Sequence, residues 1–187
     1  MSISLCIPYM ESDATKKQSL DRLLATVTGY DELIVIWNDG LGFAKPVNME
    51  YRLAKGDFIV HASDDIYFAE KTDLRKLVDE SGVTCPHMQG REYQKFWGNC
   101  WATPRWVYEK IGMFPTEYEA GLYYEDDEYY MNLVANKIPV ILKKDIIFVH
   151  PIGGRTANKI SNYNERKEHN RQVFFNRWQV EGADLSL

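Results

Sequence analysis

Leu33-Ile34-Val35-Ile36-Trp37 is an unbroken apolar run that stops at Asn38-Asp39-Gly40, a turn by composition. No polar position divides it into two faces, so it reads as a strand buried on both sides. Residues 3–7 read as a second such strand, which Pro8 should stop. Residues 57–62 read as a third, running into Ser63-Asp64-Asp65. Helical spacing lies between them: Leu20, Leu23, Leu24 and Val27 within residues 14–27, and a short helix over 46–54. Buried strands separated by helices predict an α/β fold, with a mostly parallel sheet flanked by helices and covered on both faces.

Further along, residues 72–80 read as a helix capped near Thr72, and 81–100 as short strands and loops. Thr103-Pro104 pairs a capping hydroxyl with proline at a first helical position, so a helix should follow and end at Gly112. Residues 125–136 read as a helix, 139–142 and 146–149 as two strands, and 161–181 as a last helix. That last helix should pack Val173, Phe174 and Trp178 onto the sheet. With 187 residues and no linker or repeat, one domain is expected.

Composition closes several routes. A chain 45% hydrophobic and 26% charged is not disordered throughout. No apolar run reaches the ~18–20 residues of a membrane span, and MSISLCIPYM lacks the basic and apolar regions of an export signal, so a cytoplasmic protein is expected. Net charge −5 argues against a coat for nucleic acid. Cys6, Cys85 and Cys100 are odd in number, with no C-x-x-C pair; free thiols are expected and a zinc site is not. Aromatic residues, 13% of the chain, suit either ring and sugar binding or core filling.

Ligands of open α/β sheets sit beyond the carboxyl ends of strands. Asn38-Asp39, Ser63-Asp64-Asp65 and His150 all follow expected strands. Adjacent carboxylates repel each other and favour a cation, although aspartates are also common in turns. Glu125-Asp126-Asp127-Glu128 exceeds what complementing a helix dipole requires. At about 100° per residue these acids fan around the helix start, so one or two must face inward. An inward carboxylate beside other acids should hold its proton to higher pH, as suits a general base. His150 gains weight from the carboxylates, since imidazole and carboxylate together suit Mn²⁺ or Mg²⁺. Gly153-Gly154-Arg155 could wrap a diphosphate.

The order of these motifs resembles the family 2 glycosyltransferases, inverting nucleotide-sugar enzymes of the GT-A fold. ISLCIPYMES, from Ile3, is similar to the family's opening strand and its Pro-containing end. ELIVIWNDG is similar to the second strand, which usually ends Asp-Asp-Gly-Ser. The stretch through HASDDIYF resembles the approach to an Asp-x-Asp motif. GNCWATPRWVYEKIGMFP through YYEDDEYY resembles the acceptor-side segment with its Glu-Asp pair, and DIIFVHPIGG the closing strand with its His. The resemblance implies that Pro8 and Asp39 contact the nucleotide and that Asp64 sits near the ribose. It also implies that Asp65 and His150 bind the metal, that Asp126 is the catalytic base, and that Glu125 stands beside it. The resemblance fades after about His150; from the basic character of the segment that follows, Arg155 and Lys159 would flank the donor diphosphate. Residues 1–70 would form the nucleotide-sugar half, 71–150 the acceptor and catalytic half, and 151–187 a C-terminal loop and helix. Glu128 falls outside the matched Glu-Asp pair and should matter much less.

Ser63 replaces the first Asp of the metal motif, Asn38 another Asp, and Leu41 a usual Ser, and the segment from Gly40 to Asn48 is short. The tail, from Gln172 to Asn176-Arg177-Trp178, lacks the Gln-x-x-Arg-Trp spacing of processive synthases. The activity implied is transfer of one sugar from a nucleotide diphosphate donor, a UDP-sugar first, to a hydroxyl acceptor. The compact chain resembles phage-encoded members of the family. Two rivals are a nucleotidyltransferase acting on sugar phosphates, for which residues 7–11 supply no glycine- and arginine-rich loop, and a non-catalytic sugar- or protein-binding domain that Ser63 would favour. Arg155, Lys159, Arg166, Lys167, Arg171 and Arg177 face only Glu165 and Glu168 in the same stretch. The stretch reads either as a solvated amphipathic helix packed on the sheet or as a helix whose outer face holds an anionic acceptor, a phosphorylated glycan or modified DNA.

Overall fold

The computed structural model describes residues 1–10, 14–38, 41–91, 96–118, 124–151 and 162–179. Its elements in chain order are β1 (Ile3–Tyr9), α1 (Ala14–Thr26), β2 (Val27–Thr28), β3 (Glu32–Trp37), α2 (Ala44–Leu53), β4 (Phe58–Ala62), β5 (Tyr67–Phe68), β6 (Thr72–Asp73), β7 (Val83–Met88), β8 (Cys100–Pro104), α3 (Arg105–Ile111), α4 (Glu125–Ala135), β9 (Val140–Val149) and α5 (Tyr163–Trp178). Seven strands form one sheet in the order β3-β1-β4-β8-β7-β9-β5, and β2 pairs separately with β6. β1 is parallel to β3 and β4, and β7 to β9; β8 is antiparallel to β4 and β7, and β5 to β9. All strands of this sheet but β8 and β5 therefore point the same way, and the fold is the expected α/β single domain.

Side-chain alternation sorts two cores. Ile3, Leu5 and Ile7 of β1 and Phe58, Val60 and Ala62 of β4 pack with Leu23 of α1. Cys6 and Ile59, on the opposite face, pack with Val47 and Tyr51 of α2 and with Trp101. In α2 the buried positions Ala44, Val47, Asn48 and Tyr51 recur at helical spacing, and fully burying a side chain such as Val47 contributes about 1.5–3 kcal/mol. The Arg105 guanidinium donates to the carbonyls of Ala54 (2.7 Å) and Gly56 (2.8 Å), satisfying acceptors just beyond the end of α2. Buried Asn48 exchanges two hydrogen bonds with the Phe114 backbone, both 2.9 Å, and so pins the strap after α3 to α2.

Several sequence expectations are corrected. Pro8 does not end β1; it pairs with Ile36. The Tyr9 carbonyl accepts from Asn38 on the β3 side, so the Pro8 nitrogen faces the β4 side. Pairing with β4 has already ended at Cys6 opposite His61, and no ladder bond is lost there. Covering on both faces fails at β3, an edge strand whose Leu33, Val35 and Trp37 are 41%, 43% and 57% exposed. No helix covers 72–80: β6 pairs with β2, and only Leu74–Lys76 makes a 3-10 turn, capped by Asp73. The Leu77 carbonyl accepts from the Thr84 hydroxyl (2.6 Å), and Asp79 accepts from the Ser81 N–H (3.0 Å), so side-chain bonds take groups a helix would use. Thr103 is no cap. It lies buried in β8 opposite Ile59, and Pro104 is itself the N-cap of α3. The expected stop at Gly112 holds, with φ +84°. The two strands expected between 139 and 149 are one, β9, with a register shift where Pro86 opposes Lys143 and His87 opposes Ile147. Where packing of α5 onto the sheet was expected, its contacts run to the start of α4. Phe174 is fully buried with Tyr124 at 5.4 Å, and Arg177 pairs with Glu128.

Candidate active site

β1, β4 and β9 deliver their carboxyl ends to one edge of the sheet. Beyond Cys6 the ladder between β1 and β4 opens, and the Asp64 carboxylate bridges it by accepting the Met10 N–H at 3.1 Å. Asp64 is buried. Across the sheet, β5 pairs antiparallel with the end of β9, Tyr67 opposite Val149. That pairing draws the residues just before β5 and just after β9 together. Asp65 Oδ1 stands 3.4 Å from His150 Nε2, each about a quarter exposed.

These two side chains fit a divalent cation as a partial site. Their 3.4 Å separation is close to the ~3 Å between neighbouring ligands on an ion with bonds of about 2.1 Å. One carboxylate and one imidazole are compatible with Mn²⁺ or Mg²⁺. Among the described residues no group of three or more His, Cys, Asp or Glu could hold a metal. Such a site would be completed by phosphate oxygens and water, as Mg²⁺-type sites are.

The start of α4 reaches the same edge through the turn before β8. Asn99 accepts from the Ser63 N–H (2.8 Å), extending the pairing of β4, and the next residue back, Gly98, donates its N–H to Asp126 Oδ2 at 3.2 Å. A Cβ on Gly98 would lie 2.9 Å from that oxygen and 3.0 Å from Phe43 Cζ, so only glycine permits this approach. The four acids fan as the helix geometry requires. Glu125 is buried and lines a cleft, Asp126 meets Gly98, and Glu128 is buried beneath. Burial holds Asp126 protonated to higher pH than usual. Burial and then the charge of Asp126 push Asp127 up to about 7. The cleft, of about 220 Å³, lies between the starts of α2 and α4, with Phe43, Lys45, Glu117, Tyr118, Glu125 and Arg166 among its lining.

The structure thus brings Asp65 to His150, ties Asp64 to the end of β1, and sets Asp126 on the turn that continues β4. Pro8 lies within β1. Asp39, Gly153, Gly154, Arg155 and Lys159 lie outside the described residues. Two arrangements escaped the sequence reading. His61 Nδ1 meets buried Glu50 at 2.8 Å and 3.1 Å, and its ring stacks on Trp101 with centroids 4.0 Å apart. A histidine inside an apolar strand signals a need for such a partner. The second arrangement is built on Glu128. Its carboxylate accepts the Tyr118 hydroxyl and an Arg177 nitrogen, while the other Arg177 nitrogen reaches Glu117. Nothing in local sequence points from residue 177 to residue 128.

No family model matches the chain, and no curated protein sequence matches it. Solved structures do. One is a variant of Drosophila β1,4-galactosyltransferase 7 in complex with manganese, UDP-Gal and xylobiose: 16% identity, 91% of this chain and 79% of that one covered, TM-score 0.66. Another is a mannosyltransferase of Pyrobaculum calidifontis with GDP-Man and Mn²⁺: 15% identity, 97% and 65% covered, TM-score 0.65. A third is residues 1–349 of S. aureus TarS with UDP-GlcNAc: 16% identity, 93% and 70% covered, TM-score 0.58. The chain has the fold of the GT-A-type glycosyltransferases.

Proposed function

We propose that this protein is an inverting glycosyltransferase that moves one sugar from a nucleotide diphosphate donor, a UDP-sugar first, to a hydroxyl acceptor. The observation that carries the reading is the approach of Asp65 to His150 at the sheet edge where Asp126 also arrives. The structures of like fold that hold UDP-Gal, GDP-Man or UDP-GlcNAc support it.

In this reading Asp65 and His150 hold Mn²⁺ or Mg²⁺, whose charge, when bound, stabilises the leaving diphosphate. Asp64 keeps β1 and β4 together at the ribose side. Pro8 and Asp39 are assigned to the nucleotide and Arg155 to the diphosphate. Asp126 takes the acceptor proton as the new C1–O bond forms opposite the breaking one. The Gly98 N–H orients that carboxylate, and Glu125 lines the cleft beside it. The acceptor assigned is anionic, a phosphorylated glycan or modified DNA, on the excess of basic residues between Arg155 and Arg177; the cleft itself balances Lys45 and Arg166 with Glu117 and Glu125. Among the described residues no helix is long and apolar enough to cross a membrane. All three cysteines are buried and free, which favours a reducing compartment such as the cytoplasm.

The test is calorimetry of nucleoside diphosphates with and without Mn²⁺, followed by turnover. Asp65→Ala should abolish metal-dependent binding with the fold intact. Asp126→Asn should lower transfer roughly 10²–10⁴-fold and leave donor binding unchanged. Equal affinity with and without metal in the wild type would refute the metal assignment. Pyrophosphate release from a nucleoside triphosphate and a sugar phosphate would favour a nucleotidyltransferase instead. An acceptor constant that does not rise with salt would remove the anionic acceptor.

A further inference from the structure

We propose that Arg177 is a positioning residue for the acceptor: it clamps three walls of the cleft together without touching substrate. The inference rests on the glycosyl-transfer reading and names a determinant that neither motif order nor fold likeness assigns.

Three segments meet at one buried carboxylate. Glu128, 5% exposed at its side chain, accepts the Tyr118 hydroxyl through Oε2 and Arg177 Nη1 through Oε1. Arg177 Nη2 reaches Glu117. Glu128 lies in the first turn of α4, two residues after the proposed base. Glu117 and Tyr118 belong to the strap after α3, and both line the cleft. The start of the strap is tethered through Met113 to Arg52 and through Phe114 to Asn48, and this cluster holds its cleft-lining end. α5 carries the clamp near its C-terminal end and Arg166, another lining residue, eleven positions earlier. At 1.5 Å per residue those points are about 16 Å apart. Fixing Arg177 therefore sets strap, helix start and α5 relative to one another. A planar guanidinium can serve two carboxylates at once, which an ammonium does less well. Burial, then the Glu128 hydrogen bond and charge, push the Tyr118 hydroxyl well above its usual range, so it stays a donor.

The experiment compares the wild type with Arg177→Met, Arg177→Lys and the double variant Arg177→Met with Glu128→Gln. The double variant removes the orphaned buried charge and so separates positioning from stability. Hydrogen exchange is followed over residues 114–118 and 163–178. UDP release is measured from a UDP-sugar alone and with p-nitrophenyl glycosides and glycan phosphates. Expected are exchange at least tenfold faster at 114–118 in Arg177→Met and in the double variant, with Arg177→Lys between. Donor hydrolysis and donor KM should stay within twofold, and KM for the most stimulating acceptor should rise about 10–100-fold. Recovery of wild-type exchange and acceptor KM in the double variant would overturn the clamp, as would unchanged exchange in Arg177→Met. Absence of UDP or GDP release from every donor in the wild type would refute glycosyl transfer instead, and exchange would still decide whether the clamp exists.

Discussion

Asp126 and Asp127 share the first turn of α4, and burial raises both, Asp127 to about 7. As a coupled pair they lose protons in two steps that belong to the pair. The base Asp126 must be ionised, so kcat/KM should climb with pH above the usual carboxylate range and then level. Burial, not the charge of Asp127, raises Asp126, so Asp127→Asn should leave that limb close to its wild-type position in a pH–rate profile. The shift of Asp127 has a stability cost. A carboxyl held protonated in the folded state stabilises it below the unfolded value near 4, and loses that contribution as pH rises through about 7. Thermal melts from pH 5 to pH 8 should therefore show Asp127→Asn gaining on the wild type as pH increases. Gly98 acts on the same carboxylate by shape. With a Cβ only 2.9 Å from Asp126 Oδ2, Gly98→Ala should lower turnover roughly 10–100-fold while donor affinity holds, because small misplacement of a base is costly. Wild-type turnover in Gly98→Ala would contradict this placement of Asp126.

Among the elements, α2 and β4 depend on the Glu50–His61 pair. Both side chains are essentially inaccessible, and burial raises the Glu50 carboxyl despite the opposing effect of His61. Removing one partner strands the other among Trp101 and Phe43, each packed on the His61 ring. Glu50→Ala should cost about 3–5 kcal/mol in urea denaturation. Replacing both residues with leucine should cost much less, since no buried polar group is then left unpaired. If Glu50→Ala unfolds at the wild-type midpoint, the pair is not what joins these elements. The sequence displayed α2 and β4 plainly through apolar spacing, and their partnership not at all.

On the scale of the whole molecule, the sheet ends at β3 with Leu33, Val35 and Trp37 open to solvent. An apolar edge strand is a template for unwanted pairing. Val35→Lys should leave stability within about 0.5 kcal/mol and reduce light scattering at high concentration. This edge also marks what periodicity can express. The run from Leu33 to Trp37 reads the same whether one face or both are covered, because burial of a strand's second face depends on whether a helix happens to pack there. By itself the sequence determined β1, β3 and β4, the helices α1 and α2, the glycine stop of α3, and the polar residues that follow β3, β4 and β9. These follow from local rules: apolar spacing, turn chemistry and the intolerance of buried strands for charge. Tertiary structure alone decided that β5 would bring Asp65 to His150, that Gly98 would seat Asp126, and that Arg177 would find Glu128. Each joins residues 28 to 85 positions apart. Contacts at that separation are set by how sheet and helices pack, which no local pattern encodes.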